Sequence, residues 1–359
     1  MLTIPYRTLM MGGDPEFFIE NETGVMGSEN IIPKDGLQVE KDRVKEIKNG
    51  ANVRNAKETY LKQDGVQCEL NLAPQSCRAY LANEIANCFY TLRKHLKGAK
   101  LCDKEVITMD KKTLDKLSEN ARKFGCAPSQ NTYSGTENKI KVKANRYLLR
   151  SAGGHIHLGK IEHYDNDSKD IYKDHRQVVE MLDIILGCTC VLIDRDPWAK
   201  KRREVYGQAG DYRLTSYGLE YRTLSNFWLG HYFIMSLVYG LARQAIQAYA
   251  YKPAREEIFK IASYYDIPEI INNNDMPMAI SLWKEMKNKI YPYFYEYDGC
   301  PINKHTIEPF EFVFMHGLDY FFNFDPLNHW AELKEAHHGG AYSWLLNVKG
   351  LKEKAYKKW

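Results

Sequence analysis

Residues 150–159 read Arg-Ser-Ala-Gly-Gly-His-Ile-His-Leu-Gly, and they carry the side chains best suited to chemistry in this sequence. Residues two apart on an extended strand face the same way, so His155 and His157 can enter one cavity together. Gly153, Gly154 and Gly159 let a ligand or a second strand come close to the backbone. Such a His-x-His pair can present neutral imidazole nitrogens to a metal ion or a phosphate. Taken alone, it is equally compatible with an ordinary surface strand. Three carboxylate motifs and a group of arginines elsewhere in the chain would give it partners.

The first carboxylate motif is Gly12-Gly-Asp14-Pro-Glu16-Phe-Phe18. On an extended segment Asp14 and Glu16 face the same way, a geometry suited to a hard cation such as magnesium; a turn with solvated acids is the plainer reading. Glu69, in Gln67-Cys-Glu-Leu-Asn71, sits mid-strand, where acids are disfavoured, so it is either solvated or functional. Glu220, in Gly218-Leu-Glu-Tyr-Arg222, repeats that oddity, and Arg222 shares its face. Those two can also form a simple ion pair, which contributes little at a surface. Arg202, Arg203 and Arg213 lie between Arg195 and Arg222, interrupted by Tyr206-Gly207 and Ala209-Gly210. Guanidinium groups clamp phosphates and carboxylates bidentately, whereas a solvated basic loop would do nothing of the kind.

The elements that must position these groups follow from periodicity. Phe17-Phe-Ile19 reads as a strand before a turn at Asn21–Gly24, and Asp64-Gly65 turns the chain into a half-buried strand. In that strand Val66, Cys68, Leu70 and Leu72 alternate with Gln67, Glu69 and Asn71. Residues 76–97 have the apolar spacing of an amphipathic helix, through Leu81, Ile85, Cys88, Phe89, Leu92 and Leu96. A strand and an exposed lysine-rich helix are expected over 100–124, and an irregular loop over 125–135. A helix over about 170–193 leads to an arginine-dense loop over 194–217. A short strand over 218–225 and a long apolar helix over about 227–250 follow. The expected division is a core over 1–230 and a helical part over 231–359 packed on it as one domain.

The chain has 359 residues, 44% hydrophobic and 13% aromatic, as in an ordinary globular protein. Its 50 basic and 46 acidic residues leave a net charge of +4, which argues against a nucleic-acid coat and for at most a local basic pocket. The eight cysteines form no C-x-x-C pair and no disulfide framework, and Cys188 and Cys190 read as buried thiols. The apolar stretches around 178–193 and 227–242 contain Glu180, Asp183 and His231, so they read as buried helices and not membrane spans. No basic stretch followed by an apolar core opens the sequence, so a reducing cytoplasm is the expected compartment.

Five motifs, in order, resemble those of the glutamine-synthetase-like carboxylate–amine ligases, and most closely the amidoligase family of tailed phages (COOH–NH2 ligase type 2). They are Gly13-Asp-Pro-Glu-Phe17, Glu69-Leu-Asn71, Gly153-Gly-His-Ile-His-Leu-Gly159, Arg202-Arg-x-x-Tyr-Gly207 and Gly218-Leu-Glu-Tyr-Arg-Thr-Leu-Ser225. The resemblance implies an α+β fold with a curved antiparallel sheet and helices on its outer face. It implies an ATP-dependent, amide-forming ligase working through an acyl phosphate, in the host cytoplasm if the gene is a phage's. Glu16, Glu69, His155 and Glu220 would hold Mg2+ or Mn2+, with Asp14 in a less settled metal-binding place. His157 would contact an ATP phosphate, Arg203 and Arg213 would neutralise γ-phosphate charge, and Arg222 would meet the substrate carboxylate or the transferred phosphoryl group. The partners would be a small-molecule or peptide acid and an amine, with no membrane and no nucleic acid. With no G-x-x-x-x-G-K-[ST] loop in the sequence, the ATP that the resemblance implies would have to bind by such a route. A metal-dependent hydrolase would use the same histidines and acids but leave the arginines without a task. A non-catalytic binding protein on a ligase scaffold is the other alternative.

Overall fold

The computed structural model describes residues 9–39, 59–102, 104–123, 128–138, 148–159, 174–194, 196–293, 295–297, 300–301, 306–307, 310–311, 313–314 and 325–333. Arg195, the lysine-rich tail and the start of the helix expected from about 170 lie outside them. Within the described residues the fold is α+β, and every strand pair is antiparallel.

The N-terminal stretch supplies β1 (Met11–Gly13), β2 (Glu16–Phe17), β3 (Ile19–Asn21), β4 (Gly24–Met26) and β5 (Leu37–Gln38). β6 (Tyr60–Asp64) and β7 (Gln67–Asn71) form the hairpin expected at Asp64-Gly65. Then come β8 (Lys100–Leu101), β9 (Val106–Thr108), β10 (Ser129–Asn131), β11 (Glu137–Asn138), β12 (Leu149–Ser151) and β13 (Ile156–Gly159). β14 (Asp211–Thr215) and β15 (Gly218–Tyr221) complete the sheets that matter for the site. One sheet has six strands in the order β1-β13-β15-β14-β10-β11, and another has four in the order β2-β7-β6-β5. They meet on a single stretch of chain. Leu72 N donates to Gly13 O at 3.2 Å, Leu70 N donates to Pro15 O at 3.0 Å, and Met11 and Gln75 exchange bonds of 2.8 and 2.7 Å.

The alternation of side chains decides which face is covered. Ile156 and Leu158 of β13 stand opposite Tyr221 and Leu219 of β15, and all four belong to the buried core. Helices close that face. The helix Tyr232–Ala250 is buried from Tyr232 to Tyr249, as befits a sequence apolar all round, and it packs on Arg78–His95 and His175–Leu182. Tyr239 of this helix donates from its hydroxyl to Gly12 O at 2.9 Å, fixing β1 from behind. Among the described residues no helix is long and apolar enough to cross a membrane.

Two segments expected to be loops contain structure. Ser129–Asn131 lacks any apolar residue, yet it forms β10, because Asn131 Nδ2 donates to Ala209 O at 2.7 Å and to Asp211 Oδ1 at 3.0 Å. Residues 194–217 hold the helix Ala199–Arg203 and the strand β14, whose Arg213, in an arginine-rich stretch, masked an alternating Asp-Tyr-Arg-Leu-Thr pattern.

The helix beginning at His175 passes through a π-helical turn at Asp183–Gly187, where Asp183 meets the central strand. Tyr221 donates its hydroxyl to Asp183 Oδ1 at 2.6 Å, and a Cβ on Gly187 would lie 2.7 Å from that hydroxyl. Burial lifts the Asp183 carboxyl from an ordinary 3.8 to about 7, against the lowering effect of its donors. A carboxyl raised in the folded state adds stability that is complete below its unfolded pKa and is lost as the pH climbs through the folded one. Asp183→Asn keeps an acceptor for Tyr221 and cannot ionise. Between pH 5 and 8 the wild type should therefore lose about 2–3 kcal/mol more than Asp183→Asn in urea titrations. Parallel pH profiles for the two proteins would show this assignment wrong.

Candidate active site

The face of the six-stranded sheet turned away from the helices carries a row set by register. Gly12, His157, Glu220 and Arg213 stand side by side on β1, β13, β15 and β14. Gly12 leaves the end of the row open beside Asp14, which follows β1. Asp14 Oδ1 lies 3.0 Å from His157 Nε2 and 3.1 Å from His155 Nδ1. Burial alone would raise the Asp14 carboxyl, but the two imidazoles outweigh it and hold the group well below the usual carboxylate range. Burial lowers His155, whereas Asp14 overcomes burial at His157 and raises it.

Glu220 is fully buried and its two oxygens face different partners. Arg213 brings Nε and Nη2 each to 2.6 Å from Oε2. Oε1 lies 3.1 Å from Arg222 Nε and 3.5 Å from His155 Nδ1, but no aligned hydrogen bond satisfies it. An incompletely satisfied buried carboxylate oxygen beside Asp14 and an imidazole is a donor set that a cation would complete.

A second acid group lies on the four-stranded sheet. Register places Glu16 opposite Glu69, and Glu69 opposite Lys62, whose Nζ is 2.7 Å from Glu69 Oε1. Glu16 Oε2 accepts from Gly153 N at 2.7 Å, while Glu16 N donates to Gly153 O at 2.8 Å. One ligand atom each from Glu16, Asp64 and Glu69 lie within 4.8 Å of one another, and so do those of Asp14, His157 and Glu220. Burial first, then mutual repulsion, pushes Glu16 and Glu69 well above the ordinary carboxylate range; burial also raises Asp64. A divalent cation would relieve that repulsion, and an all-oxygen set suits a hard one.

The structure therefore brings Glu16, Glu69, His155 and Glu220 together as two neighbouring groups, with Asp14, His157, Arg213 and Arg222 among them. It does not bring Arg203. That guanidinium is buried 4.0 Å from Asp194 Oδ2 and donates to Ile271 O at 2.5 Å and to Asn274, fastening the helix Ile267–Asn273. Its neighbour Arg202 also serves the scaffold, donating to Thr223 O at 2.9 Å and Leu224 O at 2.8 Å. At Gly207, φ is +72° and a Cβ would sit 2.3 Å from Arg202 Nη1, so glycine is required on both counts.

Three site residues were not singled out as functional in the sequence. Asp64 was hidden by its role beside a turn, and Lys62 by lying in a polar strand; counting back across Gly65-Val66 would have paired Lys62 with Glu69. The third is Tyr206, whose hydroxyl lies 2.6 Å from His155 Nε2 and accepts from Arg222 Nη2.

Residues 136–288 match the model of the family described as Phage phiEco32-like COOH.NH2 ligase-type 2, the family that the sequence motifs resemble. The matched stretch includes both histidines, Tyr206, Glu220 and Arg222, and leaves out Asp14, Glu16 and Glu69. No curated protein and no solved structure matches the chain.

The paired glycines before His155 have a measurable purpose. A Cβ on Gly153 would fall 2.4 Å from His155 Nε2, within the space where that nitrogen meets Tyr206. Gly153→Ala should cost about 1–3 kcal/mol in denaturant melts through overpacking. Gly12→Ala, whose Cβ would meet nothing nearer than 3.5 Å, should cost clearly less. Equal losses would mean that the imidazole is not the group that demands glycine.

Proposed function

We propose that this protein is an ATP-dependent carboxylate–amine ligase that makes an amide bond through an acyl phosphate. The observation that carries the reading is the pairing of two buried carboxylate groups, to which one stretch of chain contributes Asp14 and Glu16, with the guanidiniums of Arg213 and Arg222 at Glu220. The name of the matched family supports the carboxylate–amine ligase class. The residues fit Mg2+ or Mn2+. Asp14, His155, His157 and Glu220 would hold one cation, and Glu16, Asp64 and Glu69 another. Bound there, the cations would supply the charge neutralisation that phosphoryl transfer needs.

The protein's own groups have separable tasks. Arg222 is buried, tied to Glu220 and Tyr206, and offers a rigid fork for a substrate carboxylate or an acyl-phosphate oxygen. Arg213 reaches Glu220 from the surface with about a third of its side chain exposed (36%), so it can meet an incoming phosphate. His157 is partly exposed beside Tyr217 and can donate to a phosphate oxygen. No protein nucleophile is needed, because ATP would phosphorylate the acid with release of ADP, and the amine would then attack its carbonyl and expel phosphate. Arg203, bonded elsewhere, has no part in this scheme.

Incubation with ATP, Mg2+ and pooled amino acids, peptides and amines should release ADP only when an acid and an amine are both present. Hydrolysis of a substrate without ATP would favour a metal-dependent hydrolase, and inertness towards every pool would favour a binding protein. Arg222→Lys keeps a cation beside Glu220 Oε1, which otherwise would lose the guanidinium on that side. Losing the fork should lower kcat roughly a hundredfold, about 3 kcal/mol at the transition state, with Mg2+ affinity nearly unchanged. Glu220→Gln should instead weaken Mg2+ binding in calorimetric titration, since an amide is a poorer ligand for a hard cation. A wild-type rate in Arg222→Lys would remove Arg222 from the reaction.

A further inference from the structure

Tyr206 bridges two groups of the site, and its hydroxyl lies 2.6 Å from His155 Nε2. The other ring nitrogen, Nδ1, faces Asp14 Oδ1 at 3.1 Å and Glu220 Oε1 at 3.5 Å. Arg222 Nη2 can only donate, so the Tyr206 oxygen accepts from it. A phenol oxygen has one proton to give and room for two to accept, so towards Nε2 it can act either way. The ring geometry is fixed from a second side: Tyr206 meets His155 edge-on, with centroids 5.6 Å apart, and the Arg222 guanidinium lies 5.1 Å from the Tyr206 ring centre.

We propose that Tyr206 is a positioning residue that sets the tautomer of His155 and couples it to Arg222. Without a cation, Nδ1–H donates to Asp14 and the Tyr206 hydroxyl donates to Nε2. With a cation beside Asp14 and Glu220, Nδ1 must offer its lone pair. The Nδ1 proton would pass to solvent and one proton would be taken up from solvent on Nε2, so the count is unchanged; the Tyr206 hydroxyl, keeping its own proton, would turn it away and accept from Nε2–H. The ring stays neutral throughout, and Nε2 is hydrogen-bonded in both states. A metal-bound imidazole generally needs such a partner on its far nitrogen to hold tautomer and orientation. A phenylalanine could serve neither state. Because the same oxygen accepts from Arg222, the guanidinium is anchored to the ring whose lone pair faces the cation. The inference rests on the cation-dependent reading above, but not on which acid or amine is joined.

Nitrogen-15 NMR of histidine-labelled full-length protein tests it directly. In wild type, His155 should carry its proton on Nδ1 without divalent cations and on Nε2 with saturating Mg2+. Tyr206→Phe should bind Mg2+ about 10–100-fold more weakly in calorimetry while melting near the wild-type temperature. A His155 tautomer that does not change with Mg2+, or Mg2+ affinity in Tyr206→Phe within twofold of wild type, overturns the role. If the variant does not fold, the wild-type spectra still decide. A tautomer exchange in a protein that releases no ADP with any acid and amine supports the role of Tyr206 and removes only the ligase reading. Absence of Mg2+ binding in wild type overturns both.

Discussion

The stretch from Met11 to Phe17 is hydrogen-bonded along both of its edges, and the candidate site depends on that. On one side it pairs with β13 and with Gly153; on the other it runs along residues 67–75. A central position of this kind leaves no freedom to slide, because slipping by one residue would exchange the faces of Asp14 and Glu16 with those of their neighbours. Pro15 stands between the two acids, contributing its carbonyl to Leu70 N. The chain thus leaves one sheet after Gly13 and enters the other at Glu16, delivering one acid to each group. The site is built on this crossing, since neither group is complete without its member of the pair.

Holding so many ionisable groups away from water is expensive, and the structure shows how the cost is distributed. Glu220, Arg213 and Arg222 form a mutually paired set, while Lys62 faces Glu69. Buried pairs of this kind add little net stability over apolar residues, but breaking one leaves an uncompensated charge. Their value is positional: Arg222 is held by an acid on one side and a phenol on the other. Behind them the apolar face of the same strands packs on the helices Tyr232–Ala250 and His175–Leu182, which supplies the burial energy that the polar face cannot.

The site was legible in the sequence wherever strand parity applied. His157, Glu220 and Arg213 fall in one row because β13, β15 and β14 are regular and adjacent, and period-two alternation survives in such strands. Glu69 was visible as an acid in a strand whose other face is apolar. Parity failed where the chain is helical. Arg202 and Arg203 lie on the helix Ala199–Arg203 and both turn into the scaffold, so the density of arginines overstated how many reach an anion. Tyr206 is the opposite case. It lies within a motif, but a tyrosine beside a glycine carries no sign of its long-range contact with His155, 51 residues away in the chain. The antiparallel α+β character was legible from short strands and long connections. The strand at Ser129–Asn131 was not, because its pairing comes from Asn131 side-chain bonds and not from any apolar pattern.

On the ligase reading, the formal charges of the site set the order in which it fills. Asp14, Glu16, Asp64, Glu69 and Glu220 are five carboxyls, and Lys62, Arg213 and Arg222 are three cations, leaving a formal charge of −2 when every acid is ionised and both histidines are neutral. A nucleotide triphosphate brought to that surface meets repulsion at short range, where little water screens it. One divalent cation cancels the excess and a second reverses it. On that reading, the site with every acid ionised would repel ATP, and the site with its cations would attract it. Arg213 then occupies a meaningful place: it is the arginine that pairs with a buried acid yet remains partly exposed, so it can turn towards phosphate once a cation has taken over the neutralisation of Glu220. Arg222, buried and held between Glu220 and Tyr206, would on that reading stay where it is and set the position at which a carboxylate presents itself.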